Sequence, residues 1–473
     1  MNLETFLIMR HELLLTAGVL TVLLLEIFGN PNKKESVIFT SIIMFGLITA
    51  AGFIPSLEGE MFGGMYVAST GRLIMKNILN IGTLIVLIQS VDWLRKEANK
   101  DKTSEFFILL LSTLIGMNFM ISAGHFIMFY IGLELATIPL AALAAFDRYK
   151  NKSAEAGIKL ILISALSSGV LLYGLSLIYG ATGTLYFAEI ANLFQIGSLQ
   201  ILGFIFLFAG LAFKISIVPF HLWTADVYEG APISVTSYLS VISKGAAIFI
   251  FVIILFTVFP IIVATWQKAI FVTSVLTMTI GNLFAIRQQN LKRFLAFSSI
   301  SQAGYILLGI IGGNELGMAS VVYYMLIYIF SNLGAFGVIM AISNFSDKEN
   351  INDYNGLYLT NPALSLIMTI SLFSLAGIPP FAGFFGKFFL FAAAAEKGYY
   401  VLVFIAVLNT IISLYYYLLI IKAMFLVKSD APIEKFKSSF FTKLGFVICI
   451  IGIVAIGFVG FLFEAIRQYS FGI

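Results

Sequence analysis

Charged side chains are scarce in this chain: Asp, Glu, Lys and Arg make up 11% of its 473 residues, against about a quarter in soluble domains. With 60% hydrophobic residues and a mean hydropathy of +1.00, too few polar groups remain to face water, and a soluble protein is excluded. Cysteine is nearly absent. Cys449 stands alone in an apolar run, which excludes a disulfide within the chain and leaves no basis for a thiolate metal cluster. Three scattered histidines hardly supply paired axial ligands for a haem. Also missing are a phosphate-cradling Gly-x-x-x-x-Gly-Lys loop, a Rossmann-type Gly-x-Gly-x-x-Gly and a His-Glu-x-x-His helix. No cofactor or metal site is therefore expected here, and the chain is read as moving charge without performing redox chemistry itself. The net charge of +4 does not point to nucleic acid. Pairs such as Lys33-Lys34 and Arg95-Lys96 flank apolar runs, where basic residues fix topology, so the partner surface is the lipid bilayer.

What is present is a succession of apolar runs, each near the roughly 20 residues that span a bilayer. Segmentation at Gly, Pro, Asn and charged residues predicts fourteen helices, near 12–29, 36–55, 74–92, 105–122, 126–146, 157–180, 199–227, 231–258, 267–287, 293–312, 317–343, 361–395, 400–427 and 442–463. The first carries Glu26 and lacks a small-residue cleavage pattern, which reads as a retained helix rather than a removed signal peptide. The loops after odd-numbered helices hold seventeen Lys or Arg, and the opposite face only Arg10, Arg72, Lys76, Lys268, Lys397 and Arg467. By the positive-inside rule both termini then face outward, which for a bacterial cytoplasmic membrane is the periplasm.

An internal repeat joins the two longest, proline-broken segments. One reads Lys214-Ile-Ser-Ile-Val-Pro219-Phe220-His221, the other Gly377-Ile-Pro379-Pro380-Phe381-Ala-Gly-Phe-Phe-Gly-Lys387. Pro219 and Pro380 are 161 residues apart, and five helices separate equivalent points, so the second copy is inverted. Inverted repeats with broken helices are the pattern of ion-handling transporters. The predicted fold is all-α and membrane-spanning, with an N-terminal three-helix segment (1–100), a first five-helix repeat (101–260), a second, inverted one (261–430) and a C-terminal helix (431–473). Proline removes an amide donor, and the carbonyls it frees need protein or water around them.

Ionisable residues inside these runs are the candidate functional groups, since each costs about 2.5–3.5 kcal/mol at mid-bilayer even on lenient scales. Glu134 lies in Tyr130-Ile-Gly-Leu-Glu-Leu-Ala-Thr-Ile-Pro139. Lys214 precedes Pro219 by five residues, about 7.5 Å of helix. Its proton affinity would be set by two opposed effects, burial and a nearby carboxylate, so a Glu134–Lys214 pair is expected to exchange protons. Lys244 would extend the row laterally, and Lys387, between Gly386 and Phe388, would end it. Glu155 and Lys159 stand four apart in the order that favours an ion pair. His221 is two turns beyond Lys214 and suits a proton relay; Tyr305 and the tyrosines at 323, 324 and 328 would bond water. Bland readings stand beside these: a tolerated interfacial carboxylate, a structural ion pair, a snorkelling lysine, a histidine that bonds freed carbonyls, and tyrosines packed at the interface. His11 and His125 lie near helix ends and carry less.

The stretch Phe213-Lys-Ile-Ser-Ile-Val-Pro-Phe-His-Leu-Trp-Thr-Ala-Asp-Val-Tyr-Glu-Gly-Ala-Pro232 closely resembles the subunit N family of bacterial NADH:quinone oxidoreductase, respiratory complex I. Glu155-Ala-Gly-Ile-Lys, Leu172-Tyr-Gly-Leu-Ser-Leu-Ile-Tyr-Gly-Ala-Thr-Gly-Thr184, Asn290-Leu-Lys-Arg-Phe-Leu-Ala-Phe-Ser-Ser-Ile-Ser-Gln-Ala-Gly-Tyr305 and Leu375-Ala-Gly-Ile-Pro-Pro-Phe-Ala-Gly-Phe-Phe-Gly-Lys387 agree with it. The resemblance runs from about residue 100 to 430. It implies an antiporter-like subunit of the membrane arm, which couples quinone reduction elsewhere in the complex to proton translocation. It also implies roles: Glu134 as carboxylate partner, Lys214 as proton-exchanging lysine, Lys244 as central connector, Lys387 as the lysine of the second broken helix, and Lys159 and His221 on the proton path. NADH or another donor, FMN, iron-sulfur clusters and quinone would reside in other subunits, and the partners would be other membrane subunits of the complex. Several family members carry Ala-His-Met-Gly-Tyr where this chain has Ser301-Gln302-Ala303-Gly304-Tyr305, so a histidine's role there does not transfer. The competing expectations are a subunit of a multisubunit cation/proton antiporter of Mrp type, built on the same repeat, and a non-transporting scaffold, which would leave the buried charges unexplained.

Overall fold

A computed structural model describes residues 6–29, 34–55 and 57–469. Apolar side chains on nearly every face leave the backbone no solvent, and a helix is the element that satisfies its own amides and carbonyls. The chain forms α1 (Arg10–Phe28) and α2 (Lys34–Gly52), then a hairpin of β1 (Gly59–Met61) and β2 (Tyr66–Ala68), then α3 (Thr70–Leu94), α4 (Thr103–Ile121), α5 (Phe126–Ala144) and α6 (Asn151–Thr182). The first broken crossing is α7 (Ser198–Ile215) with α8 (Leu222–Gly230). It is followed by α9, which runs over Ile233–Thr257 through a π-helical turn at Leu239–Ser243. Then come α10 (Val263–Ala285), α11 (Leu291–Gly312) and α12 (Glu315–Ser346), and the second broken crossing, α13 (Pro362–Ala376) with α14 (Ala382–Glu396). The chain closes with α15 (Tyr400–Phe425), α16 (Phe440–Phe458) and α17 (Phe461–Gln468).

Among the described residues thirteen helices are long and apolar enough to cross a membrane. The fourteenth expected crossing is the α13–α14 pair, whose halves have only 15 residues each. The two breaks lie five crossings apart, which inverts one repeat relative to the other. The segment between α2 and α3 carries the hairpin, in register Glu60 with Val67. The last crossing, expected to reach residue 463, ends at Phe458, and the chain turns into α17, which buries Phe463 and Ile466 and exposes Arg467. The Phe463 ring stacks on Phe389 of α14, so α17 is held against the second broken helix.

Burial sorts the helices. The apolar bodies of α11 and α12 are enclosed by protein, whereas α6, α10 and α15 expose large apolar residues such as Leu162, Leu276 and Phe404. A polar solvent would not tolerate such belts; lipid does, and the chain is an integral membrane protein. Without a hydrophobic drive between helices in lipid, close packing holds them. A methyl group on Gly116 of α4 would come within 2.4 Å of the Ala136 backbone nitrogen, and one on Gly132 of α5 within 2.6 Å of the Met120 nitrogen. The two backbones therefore touch. Replacing Gly116 by Leu is expected to separate α4 from α5 and stop the subunit from accumulating in membranes, as read by immunoblot; wild-type accumulation would contradict this packing.

Candidate functional site

The first break is built by α7 ending early. Ser216 takes a left-handed φ of 67°, and the Val218–Pro219 peptide is cis. The carbonyl of Phe213 accepts from the Ser216 amide at 3.0 Å and also from Trp223 Nε1 at 3.1 Å, and the Val218 amide donates to Thr277 Oγ1 at 3.0 Å. Lys214 stands in the last turn of α7 and donates to the Thr137 hydroxyl of α5. Glu134, one turn earlier on α5, accepts from Ser168 Oγ at 2.5 Å. The expected Glu134–Lys214 pair acts over a distance: Glu134 is within electrostatic reach of Lys214, but among the described residues no salt bridge joins them, and hydroxyls of Thr137 and Ser168 bond the two charged ends. Packing explains the offset, since Thr137 is the side chain of α5 that faces the end of α7.

The second break places its lysine on the other side. Lys387 lies in α14, after Pro380, and Lys214 in α7, before Pro219. Lys387 is buried, and its Nζ donates to the Ala376 carbonyl at 3.2 Å, a carbonyl that the break has freed. The same Nζ sits 4.4 Å from the centroid of the Tyr305 ring, a cation–π distance. The Tyr305 hydroxyl lies 3.5 Å from Asn282 Nδ2. Between the breaks stands Lys244, buried, at the end of the π-helical turn of α9; it donates to Ser299 Oγ at 2.5 Å and to the Ser299 carbonyl at 3.1 Å. Such π turns often mark functional positions.

One residue that sequence reasoning passed over links these lysines. Gln302, one turn beyond Ser299 on α11, donates to the Leu375 carbonyl at 3.1 Å and to Tyr417 Oη at 3.3 Å, and accepts from the Tyr324 hydroxyl. Polar groups are thus spaced from Lys244 on Ser299, one turn along α11 to Gln302 at the Leu375 carbonyl, and on to Lys387 at the Ala376 carbonyl; among the described residues no hydrogen bond joins Ser299 to Gln302. The signal was in the Ser301-Gln302 departure, which was read as a loss rather than as a wired substitute. Among the described residues no hydrogen bond or ion pair joins Lys214 to Lys244. The region holds an unpartnered buried group, His221 Nδ1, and the hydroxyls of Tyr228 and Tyr328 lie beside Ser299. His221 caps α8 without a side-chain cap bond. Tyr323 contacts the Ile456 carbonyl at 3.3 Å and lies away from the row, against Phe463.

Lys159 reaches Glu155 at 2.6 Å and Asp226 at 2.8 Å, so the expected Glu155–Lys159 pair is one edge of a larger network. Arg293 at the start of α11 binds the same Asp226 at 2.6 Å and Glu229 at 3.1 Å, and Lys152 binds Glu229 at 2.8 Å. Asp226 and Glu229 stand three apart on α8, which ties the short half of the first broken helix to α6 and α11. A second cluster also escaped the sequence reading. Lys76, counted above among the basic residues of the outer flank, is fully buried on α3 and pairs with Glu12 of α1 at 2.6 Å. Arg72, counted with it, is also buried and donates to the carbonyls of Ala123 and Val67. The count erred because a helix end is polar in sequence whether its charges face water or a partner helix.

A family model described as "NADH:quinone oxidoreductase/Mrp antiporter, TM" matches residues 123–413. A protein of Phocaeicola vulgatus named NADH-quinone oxidoreductase subunit N is 51% identical over 469 residues, 99% of each chain. Among solved structures, a chain of respiratory complex I from Thermus thermophilus is 27% identical, with a TM-score of 0.80 over 97% of this chain and 100% of that one. A chain of the Mrp complex from a Dietzia species is 22% identical, with a TM-score of 0.86 over 99% and 96%, a likeness of fold alone.

Because Asp226 is shared by Lys159 and Arg293, Asp226→Asn is expected to loosen α8. The side chains are about one-third exposed, so the loss is about 1 kcal/mol, read as a lower thermal midpoint of the purified protein. An unchanged midpoint in low salt would show that the network does not hold α8.

Proposed function

The chain belongs to the subunit N family of NADH-quinone oxidoreductases, and from that premise we propose that it is the subunit's proton-translocating part of complex I, working in a bacterial cytoplasmic membrane with both termini on the periplasmic side. The observation that carries this reading is the spaced row of buried polar groups, Lys244 on Ser299, Gln302 one turn along α11 at the second break and Lys387 across that break, inside helices that are otherwise apolar. Charges at such depth are retained for ion movement by default. The reading makes the chain part of a translocating oxidoreductase; electron transfer, with NADH or another donor, FMN, iron-sulfur clusters and quinone, belongs to other subunits, and the direct partners are other membrane subunits.

In this mechanism an electrostatic change from the quinone-reducing end alters how Glu134 interacts with Lys214. The intervening hydroxyls of Thr137 and Ser168 suit that task, since a side-chain rotation can exchange a hydroxyl contact for a direct carboxylate contact and so change how tightly Lys214 holds its proton. The proton then passes to Lys244 through water beside His221, whose unpartnered Nδ1 is a position where buried water completes the bonding, and past the Tyr228 and Tyr328 hydroxyls at Ser299. From Lys244 it follows Ser299 and Gln302 to Lys387. Glutamine conducts by hydrogen bonding rather than by holding charge, so Lys244 and Lys387 are the storage sites. Lys159 and Asp226 serve the entrance, and Tyr305 shields Lys387. By reciprocity, proton load biases the driving conformation in return.

Purification of the tagged chain with its native partners in mild detergent tests the assignment. Co-purifying quinone-site and iron-sulfur subunits with quinone reductase activity are expected; small antiporter subunits without redox activity would instead establish a cation/proton antiporter of Mrp type. Within the assembled complex, Lys214→Ala and Glu134→Ala are expected to cut coupled pumping. A barrier raised by about 1.4 kcal/mol slows transfer about tenfold, and wild-type pumping in correctly assembled variants would refute the mechanism. Gln302→Leu breaks the link without touching either lysine, so it is expected to reduce pumping while quinone reduction with an uncoupler persists; pumping at the full ratio would remove Gln302 from the path.

A further inference from the structure

The row of lysines leaves one buried ionisable cluster unused. Glu12 of α1, Lys76 of α3 and Tyr66 of β2 close a triangle: Lys76 Nζ donates to Glu12 Oε1 at 2.6 Å and to Tyr66 Oη at 3.0 Å, and Tyr66 Oη donates to Glu12 Oε2 at 2.9 Å. None of the three is more than 1% exposed. The cluster lies one layer from the surface that bears the hairpin. Arg10 beside it is partly exposed, and β2 is stitched to the end of α4 by the bond from the Val67 amide to the Ser122 carbonyl at 2.8 Å.

A structural ion pair would need nothing beneath it, yet polar groups continue inward. Asn80 is one turn further along the Lys76 face of α3. Gly82 packs on Ile329 of α12 and Ile242 of α9, and Asn80, 200° around the helix from it, points away from them. On α4, Gly116 faces α5, and Asn118, again 200° around, points away from α5. Asn80 and Asn118 are each 0% exposed, and the side-chain nitrogen and oxygen of both have no hydrogen-bond partner. The Ser122 hydroxyl, one turn from Asn118, lies beside the Tyr66 hydroxyl. Below them, Tyr238 of α9 holds Thr113 Oγ1 of α4 at 2.7 Å and lies 3.9 Å from Met117 Sδ. Tyr238 is six residues, about 9 Å of helix, from Lys244.

We propose that Glu12, Lys76 and Tyr66 form a protonation site outside the lysine row, joined to α9 at Tyr238 by a water-holding seam through Asn80 and Asn118. Four unpartnered amide atoms in an apolar interior are costly if dry, and water between two helices satisfies them. A proton given up by Lys244 enters at the Tyr238 hydroxyl, which releases its own proton to seam water. The Glu12 carboxylate takes it as a carboxylic acid while Lys76 keeps its charge. Loss of that proton past the hairpin restores the carboxylate. The seam is thus a second outlet. The inference rests on the proton-conducting reading of the row.

The test uses the whole complex in native membrane vesicles, with protons moved per quinone reduced as the readout. Asn80→Leu combined with Asn118→Leu dries the seam and leaves the Glu12–Lys76 pair intact; a lower proton ratio with uncoupled quinone reduction retained is expected. Glu12→Gln is expected to lose the same share, and Glu12→Asp to recover it. A full ratio in both the double variant and Glu12→Gln overturns the proposal. Lys214→Ala is the control: if it too pumps at the full ratio, the reading of the row itself fails, whereas loss only in Lys214→Ala sinks the seam alone. Hydroxyl-radical labelling of the unmutated complex needs no variant to assemble. Buried Met117 should oxidise faster than buried Met278, because bound water supplies the radical, and equal protection of the two would show a dry seam.

Discussion

A backbone carbonyl without a helical partner in a hydrocarbon interior must be bonded by something else, and both broken crossings are organised by that requirement. At the first, the carbonyl of Phe213 is shared by the Ser216 amide and the indole of Trp223. At the second, Gln302 takes that of Leu375 and the Lys387 ammonium that of Ala376. A lysine placed there supplies a donor the backbone needs and a charge that protein dipoles receive. The breaks are therefore places where charge is cheapest to hold in this membrane domain. The rest of the row follows: Ser299 receives Lys244 and Thr137 receives Lys214, and Lys244 and Lys387 are buried in the protein interior while Lys214 is only partly buried.

The two breaks use that requirement asymmetrically. Lys214 precedes its break and bonds a side chain of another helix, whereas Lys387 follows its break and bonds the backbone across it. A shift of α7 against α5 changes the partner of Lys214 directly. Lys387 moves with α14, which α17 clamps through the Phe389–Phe463 stack. In the proposed mechanism the first lysine is thereby the adjustable one and the second the fixed receiver.

Much of this was legible in the sequence. Apolar runs located the crossings because the helix is the one element that closes its own hydrogen bonds within a segment, and Pro219, Pro379 and Pro380 located the breaks because proline lacks the amide. The buried lysines announced themselves by their apolar neighbours. What stayed hidden depends on pairing between distant segments. Lys76 looked like a topology signal because Glu12 is 64 residues away. Gln302 looked inert because its partners come from α12, α13 and α15. The detached geometry of Glu134 and Lys214 depends on which residue of α5 meets the end of α7, a register that composition does not encode.

The separation of Glu12 from Lys76 has a consequence for how the chain enters its membrane. At about 5–20 residues per second, the 64 residues between them take roughly 3 to 13 seconds to synthesise. For that time the first helix carries a carboxylate whose counter-charge does not yet exist. It must wait at the insertion machinery or the interface, or enter with its carboxyl protonated, until α3 emerges and the hairpin closes over the pair. The opening helix is thus committed to its place by the third, and biogenesis of this segment is a joint event rather than a helix-by-helix one.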